Sequence, residues 1–384
     1  MNKFLITLAT LVAFALSGVA VHAEGKFGGF IQQIVGAGDD VDGGITQKFT
    51  RFAFSADTTL DNGWTAGGAF AIEYAAAGAG GTDDGRNSNY LPTANSMWVA
   101  MDSMTINIGQ TADAVTSAIP RIGAMVPGAG HDGGFQFLFD GGLLGGNGVA
   151  FAEAYYAAAS SRVDVDFASI NGFSVGVTYT PGMEFATGAG ISRAAHATET
   201  GSHGETIHVG VAYSGEIDGM SYAIGVGSIN GNSQSQNATT GTHTNNDLSS
   251  VTGGLRLTMG DLSMGIHAYD NGESFGASGD AVKASESGYT VSATYAMGNI
   301  TVGAGYAHQE MVRGTRAQAR ATTLTGAAAG NVREDTVTMV GIGYNMGGGV
   351  NTFVQLSNND HSDGDHATTE VDPQVLFAGI TLGF

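Results

Sequence analysis

Apolar and polar residues alternate at every second position through much of this chain. In the stretch Arg162 to Phe167, the residues Val163, Val165 and Phe167 share one face while Arg162, Asp164 and Asp166 share the other. A period of two belongs to a β-strand, whose successive side chains point to opposite sides. One such segment fits any half-buried sheet, so number and spacing carry the argument. The same reading predicts sixteen strands, near 25–37, 47–58, 64–74, 95–102, 104–110, 161–169, 172–181, 205–214, 220–229, 248–259, 262–270, 287–297, 300–308, 335–346, 350–358 and 374–384. Several links are short and made of turn-forming residues: Asp61 to Gly63, Asp102-Ser103, Asn171-Gly172, Gly260-Asp261, Gly298-Asn299 and Gly347 to Gly349. The intervening links are longer and polar, and short turns alternating with long loops are the pattern of a barrel that crosses a membrane.

These features predict an all-β fold: a transmembrane antiparallel up-and-down β-barrel occupying 24–384 as one domain. Closure removes the unpaired sheet edges that lipid would not tolerate. An even strand number puts both termini on one side, the periplasmic side for an exported chain inserted from within. The last strand carries Leu376, Ala378, Ile380, Leu382 and Phe384 on one face, with the final aromatic placed for a membrane interface.

Composition sharpens this picture. Lys3, the apolar run Phe4 to Leu16 and the small-residue site before Glu24 read as a signal peptide over 1–23. That run is too short for a spanning helix, which needs about 20 residues. Cysteine is absent, so neither disulfides nor thiolate-bound metals hold the fold. The net charge is −21, which argues against nucleic-acid binding. The 62 glycines sit among Val, Ile, Phe and Tyr in alternating segments, a composition of strands and turns rather than of disorder.

Four segments carry a resemblance to a known family: Phe49 to Tyr74, Met104 to Val115, Arg162 to Gly182 and Phe377 to Phe384. With the strand rhythm, they make the mature chain resemble the general trimeric porins of Gram-negative bacteria, particularly acidic, Gly/Ala-rich alphaproteobacterial members. The resemblance implies a water-filled outer-membrane channel for passive diffusion of small hydrophilic solutes and ions, without catalysis or cofactor. It also implies a homotrimer, latched through the second long loop from Ala75 to Ala94, among outer-membrane lipids and lipopolysaccharide. In that family the final Phe, here Phe384, is the recognition signal for the outer-membrane assembly machinery.

The longest gap between predicted strands runs from Thr111 to Ser160 after the fifth strand, where the family's third loop folds into the barrel and narrows the pore. A loop of that length needs a functional explanation. It carries Asp113, Asp132, Asp140 and Glu153 against Arg121, while strand parity turns Arg51, Arg162 and Arg256 to the lumen. Opposed charges across a narrow space create a transverse field, and the acid excess predicts a weak preference for cations. Arg51, within Phe49 to Phe54, is carried over by the resemblance; the family's usual acidic motif in this loop is absent.

Other candidate chemistry is weaker. Seven histidines (203, 208, 243, 267, 308, 361 and 366) show no zinc-ligand spacing and read as polar lumen or loop residues. The run Asp360 to Asp365 has oxygen ligands around a glycine but lacks the bidentate Glu of a calcium loop. The cluster Arg313, Arg316, Arg320 and Arg333 is partly balanced by Glu310, Glu334 and Asp335. Two rival readings remain open. A substrate-specific outer-membrane transporter would show saturable flux, and a non-conducting barrel adhesin or structural protein would have its lumen closed by the 111–160 loop.

Overall fold

A computed structural model of the chain describes residues 24–38, 45–79, 89–128, 161–183, 203–233, 246–274, 285–312, 332–363 and 374–384. The expected signal peptide, the tip of the second long loop and the expected loop residues Asp132, Asp140 and Glu153 lie outside these, as do Arg313, Arg316 and Arg320.

Sixteen strands are described: β1 (Glu24–Gly38), β2 (Ile45–Thr59), β3 (Thr65–Ala79), β4 (Asn89–Ala100), β5 (Met104–Gln110), β6 (Arg162–Phe167), β7 (Phe173–Met183) and β8 (His203–Ile217) in the first half. The second half contributes β9 (Met220–Ser233), β10 (Leu248–Met259), β11 (Leu262–Gly272), β12 (Ser285–Met297), β13 (Ile300–Val312), β14 (Val332–Gly347), β15 (Val350–Asp363) and β16 (Gln374–Gly383). Each pairs antiparallel with its neighbours in sequence, and β16 returns to pair with β1, so the sheet is a closed barrel. Among the described residues no helix is long and apolar enough to cross a membrane.

All sixteen predicted strands are present, and two, β5 and β10, have the predicted limits. At the long-loop end several run further than the alternation suggested: β3 to Ala79, β9 to Ser233, β13 to Val312 and β15 to Asp363. The cause is physical. Beyond the apolar belt the outward positions become polar or small, so the sequence pattern fades while the backbone ladder continues. At the other end the links are tight. Asn171 and Gly172 have φ of 51° and 86°, and Asp218 and Gly219 have 50° and 78°. Both pairs are built for two-residue turns that need positive φ at each central position. The second was not among the predicted turns, because the predicted eighth strand stops at 214, short of it.

Parity is consistent around the barrel. Phe27, Phe52, Phe54, Val226, Val354, Ile380 and Leu382 are exposed on the outer surface, as residues facing lipid must be. Glu24 and Phe384 lie at the short-turn end. There Phe384 closes the seam with two backbone hydrogen bonds: Gly29 N–H donates to its carbonyl at 2.9 Å, and its own N–H donates to the Gly29 carbonyl at 3.1 Å. Its ring lies against Phe27 and Phe52, with centroids 5.8 and 6.0 Å away.

Candidate functional site

The inner wall alternates with that apolar exterior, and its main furnishing is the start of the loop after β5. This segment turns inward, forms a short helix α1 (Ala114–Ala118) and a 3-10 turn over Gly123–Met125, and is described as far as Gly128. It lies inside the barrel, so the described start of the expected third loop folds inward.

Asp113 fixes its beginning. One carboxylate oxygen accepts from the N–H groups of Val115 and Thr116, each at 3.0 Å, and so caps α1. The other accepts from the Thr116 hydroxyl at 2.8 Å and from the Arg162 guanidinium of β6 at 3.2 Å. His208 of β8 adds its Nδ1 at 3.3 Å from the first oxygen. Burial opposes ionisation of Asp113, yet contact with His208 and the charge of Arg162 outweigh it and hold the carboxyl well below the usual carboxylate range.

A second layer supports this pair. The Ala114 N–H donates to the Thr178 hydroxyl of β7 at 2.7 Å, and that hydroxyl donates to Asp164 of β6. Asn107 of β5 donates to Asp164 and Asp166, each at 3.3 Å. Four consecutive strands therefore hold the loop's first turn, and its buried backbone groups find partners.

Further on, Val115, Ile122 and Val126 are buried, whereas Ser117, Arg121 and Ala124 are exposed. The segment is amphipathic, with its apolar side on the wall. Ile119 and Pro120 lie over β10, Pro127 lies over β14, and Gly128 meets Gln355 of β15. The loop start thus follows the wall from β7 to β15.

The eight expected constriction residues divide into three groups. Asp113 and Arg162 are brought together, but in a buried ion pair rather than as charges on open water. Arg51 on β2 and Arg256 on β10 have lumen parity, and Arg121 is exposed on the loop. Asp132, Asp140 and Glu153 lie outside the described residues. Sequence reasoning missed His208, Thr178, Asp164 and Asn107 as loop anchors. All four occupy lumen-facing parity on strands near the loop's start, but nothing in the alternation separates an anchor from an ordinary polar wall residue.

Among the described residues no group of three or more His, Asp or Glu side chains is placed to hold a metal ion.

A family model described as "Gram-negative porin" matches residues 7–364. No curated protein sequence matches the chain. Solved structures with the same fold include a loop-L8 deletion mutant of OmpT, an outer membrane protein of Vibrio cholerae, at 13% identity and a TM-score of 0.56, covering 94% of this chain and 99% of that one. A multiply substituted porin of Rhodopseudomonas blastica aligns at 16% identity and a TM-score of 0.55, covering 94% of this chain and 100% of that one.

Proposed function

From the premise that this chain belongs to the Gram-negative porin family and is an outer-membrane porin channel, we propose that it passes small hydrophilic solutes and ions by passive diffusion, with a weak preference for cations. The observation that carries this reading is the loop start from 111 to 128, anchored on one side of the lumen through the Asp113–Arg162 pair. A segment pinned to the wall narrows a water path without sealing it. No catalytic role or cofactor is part of the proposal.

The charge balance supports the direction of selectivity. Asp113 and Arg162 neutralise each other out of contact with water, and Arg51, Arg121 and Arg256 are the other bases expected at the constriction. Against them stand Asp132, Asp140 and Glu153 of the loop and a net charge of −21 over the chain. In a confined, weakly screened passage the nearer charges dominate. Single-channel recording in a planar bilayer under a KCl gradient tests this: an ohmic current with a cation-directed zero-current potential agrees, whereas a saturable solute-selective flux, no conductance or anion selectivity refutes it.

Three further parts of the reading concern the setting. Residues 1–23 serve as a signal peptide and both termini face the periplasm. Phe384 is read by the outer-membrane assembly machinery, with lipopolysaccharide and outer-membrane lipid around the finished barrel. The protein works as a homotrimer, for which Gln33 and Thr50 offer support: both lie on the outward face of β1 and β2 and interrupt its apolar surface, as protein-covered positions can.

A further inference from the structure

Beyond the Asp113 anchor, the loop start rests largely on glycines of the wall. A Cβ added at Gly210 of β8 would be driven into the carbonyl oxygen of Ala114, one at Gly225 of β9 into that of Ala118, and one at Gly341 of β14 into that of Pro127. At Gly176 of β7 it would stand 2.9 Å from the Ala114 methyl, and at Gly227 of β9 2.7 Å from a Val115 methyl. At Gly254 of β10 it would stand 3.2 Å from both Ile119 and Pro120. These separations are well inside ordinary contact between carbon atoms.

Three properties make this one device. All these glycines have lumen-facing parity. They lie along the path of the loop from 114 to 127, on β7, β8, β9, β10 and β14. At three of them the loop's backbone, not a pliable side chain, is what a methyl would strike. Where a carbonyl takes the place of a Cβ, it faces a glycine Cα–H, a weak but favourable contact.

We infer that this track of inner-wall glycines determines the aperture of the channel, by letting the backbone of the 111–128 segment lie directly on the wall. The free cross-section is what remains once the loop's thickness is subtracted from the lumen. A wall of alanines would hold the loop further toward the axis by the depth of a methyl layer. Gly210, Gly225 and Gly341 are therefore specificity-determining residues for solute size, though none is exposed to the solute. The aperture argument rests on the proposed function as a diffusion channel; the docking argument does not.

Two experiments separate these. In the first, Gly210→Ala, Gly225→Ala and Gly341→Ala are compared with Gly253→Ala, whose added methyl would meet nothing nearer than 3.6 Å. Conductance and liposome swelling with sugars of graded size are read on trimers or monomers purified from membranes. The expected result is a loss of conductance and a lower size limit for the three track variants and wild-type behaviour for Gly253→Ala. Wild-type conductance and size limit in all three folded track variants would overturn the proposal.

Should a backbone clash block folding, Gly227→Ala supplies the recoverable case, because its clash is with Val115. Here Gly227→Ala alone should lower conductance and Gly227→Ala with Val115→Ala should restore it; no rescue counts against the track. In the second experiment, Val115→Cys and Gly227→Cys are combined in this cysteine-free chain. The Val115 Cβ stands 3.2 Å from a Cβ built at Gly227, slightly inside usual disulfide spacing. A cross-link on mild oxidation, seen as a gel-mobility shift, is expected even if the protein conducts nothing. Its failure to form would refute the docking itself, whereas a cross-link in the double-cysteine variant together with a wild type that conducts nothing would refute only the channel reading.

Discussion

The guanidinium of Arg162 stands 3.2 Å from the carboxylate of Asp113, with both side chains 1% exposed, and this contact ties the first turn of the loop to the barrel wall. Breaking a buried pair by removing one partner typically costs about 3–5 kcal/mol, because the other charge is left buried and uncompensated. Asp113→Ala also removes the cap of α1. Replacement of both, as Asp113→Leu with Arg162→Met, should destabilise less than either single change. Refolding free energies in detergent, arranged as a double-mutant cycle, measure this; additive losses would mean the two residues are not coupled.

The pH dependence of the anchor follows from the lowered carboxyl of Asp113, which faces Arg162 and His208. A group with a depressed folded pKa stabilises above its unfolded value, about 3.9 for Asp, and that stabilisation is lost as pH falls through the folded value. The contribution should therefore be constant from neutrality down to about pH 5 and decline only in strong acid. Wild type and Asp113→Asn should keep a constant stability difference across the mild range. A difference that disappears near pH 6 would show that the Asp113 carboxyl does not control the anchor.

Surface parity makes a third prediction. Val226 lies midway along β9 and is 54% exposed on the outer face. An arginine near the bilayer midplane on that face costs about 2–4 kcal/mol, whereas lumen substitutions mainly tune selectivity. Val226→Arg should lower the refolding free energy in lipid by that amount, and Arg256→Gln should leave it near wild type. Equal effects would reverse the assigned faces.

Deletion of Phe384 should reduce the yield of folded barrel in membranes far more than it weakens a barrel already formed. The residue contributes two backbone hydrogen bonds with Gly29 and ring contacts with Phe27 and Phe52, an interaction set of a few kcal/mol at most, about 0.5–1.5 per hydrogen bond. Normal levels of heat-modifiable protein in outer membranes of the deletion strain would rule out a signalling role.

Selectivity should respond in opposite directions to the two sets of lumen charge. Arg121→Gln and Arg256→Gln should each move the zero-current potential toward cations, and Asp132→Asn with Asp140→Asn should move it toward anions. High salt should compress all of these shifts, because screening shortens as ionic strength rises. Potentials unchanged in every variant at low salt would exclude these residues from the selectivity region.

The barrel was legible because its determinants are local. Alternation, turn pairs such as Asn171-Gly172 and the apolar face of β16 can each be read within about ten residues. The anchor was not, since Asp113 and Arg162 are separated in sequence by 49 residues and meet only after the sheet curves round. Asp113 and Arg162 read equally well as open-lumen charges until burial is known. Nor could the glycine track be recognised: Gly210 and Gly225 look like any glycine in a strand, and their meaning depends on which loop carbonyl lies above them. Parity showed which way they face, but not what they touch.

The seam between β1 and β16 has a kinetic consequence. Ile31 pairs with Leu382, so nearly the whole chain must be present before the first strand can find its last partner. Contacts of such long sequence separation form slowly, because the entropy of bringing distant segments together comes before any gain from pairing. Until then β1 and β16 are both open edges, the most adhesive surfaces the chain will ever present. A residue at the end of β16 that is tethered to an escort would shield one of those edges during transit, so the position of Phe384 suits a timing function as well as a structural one.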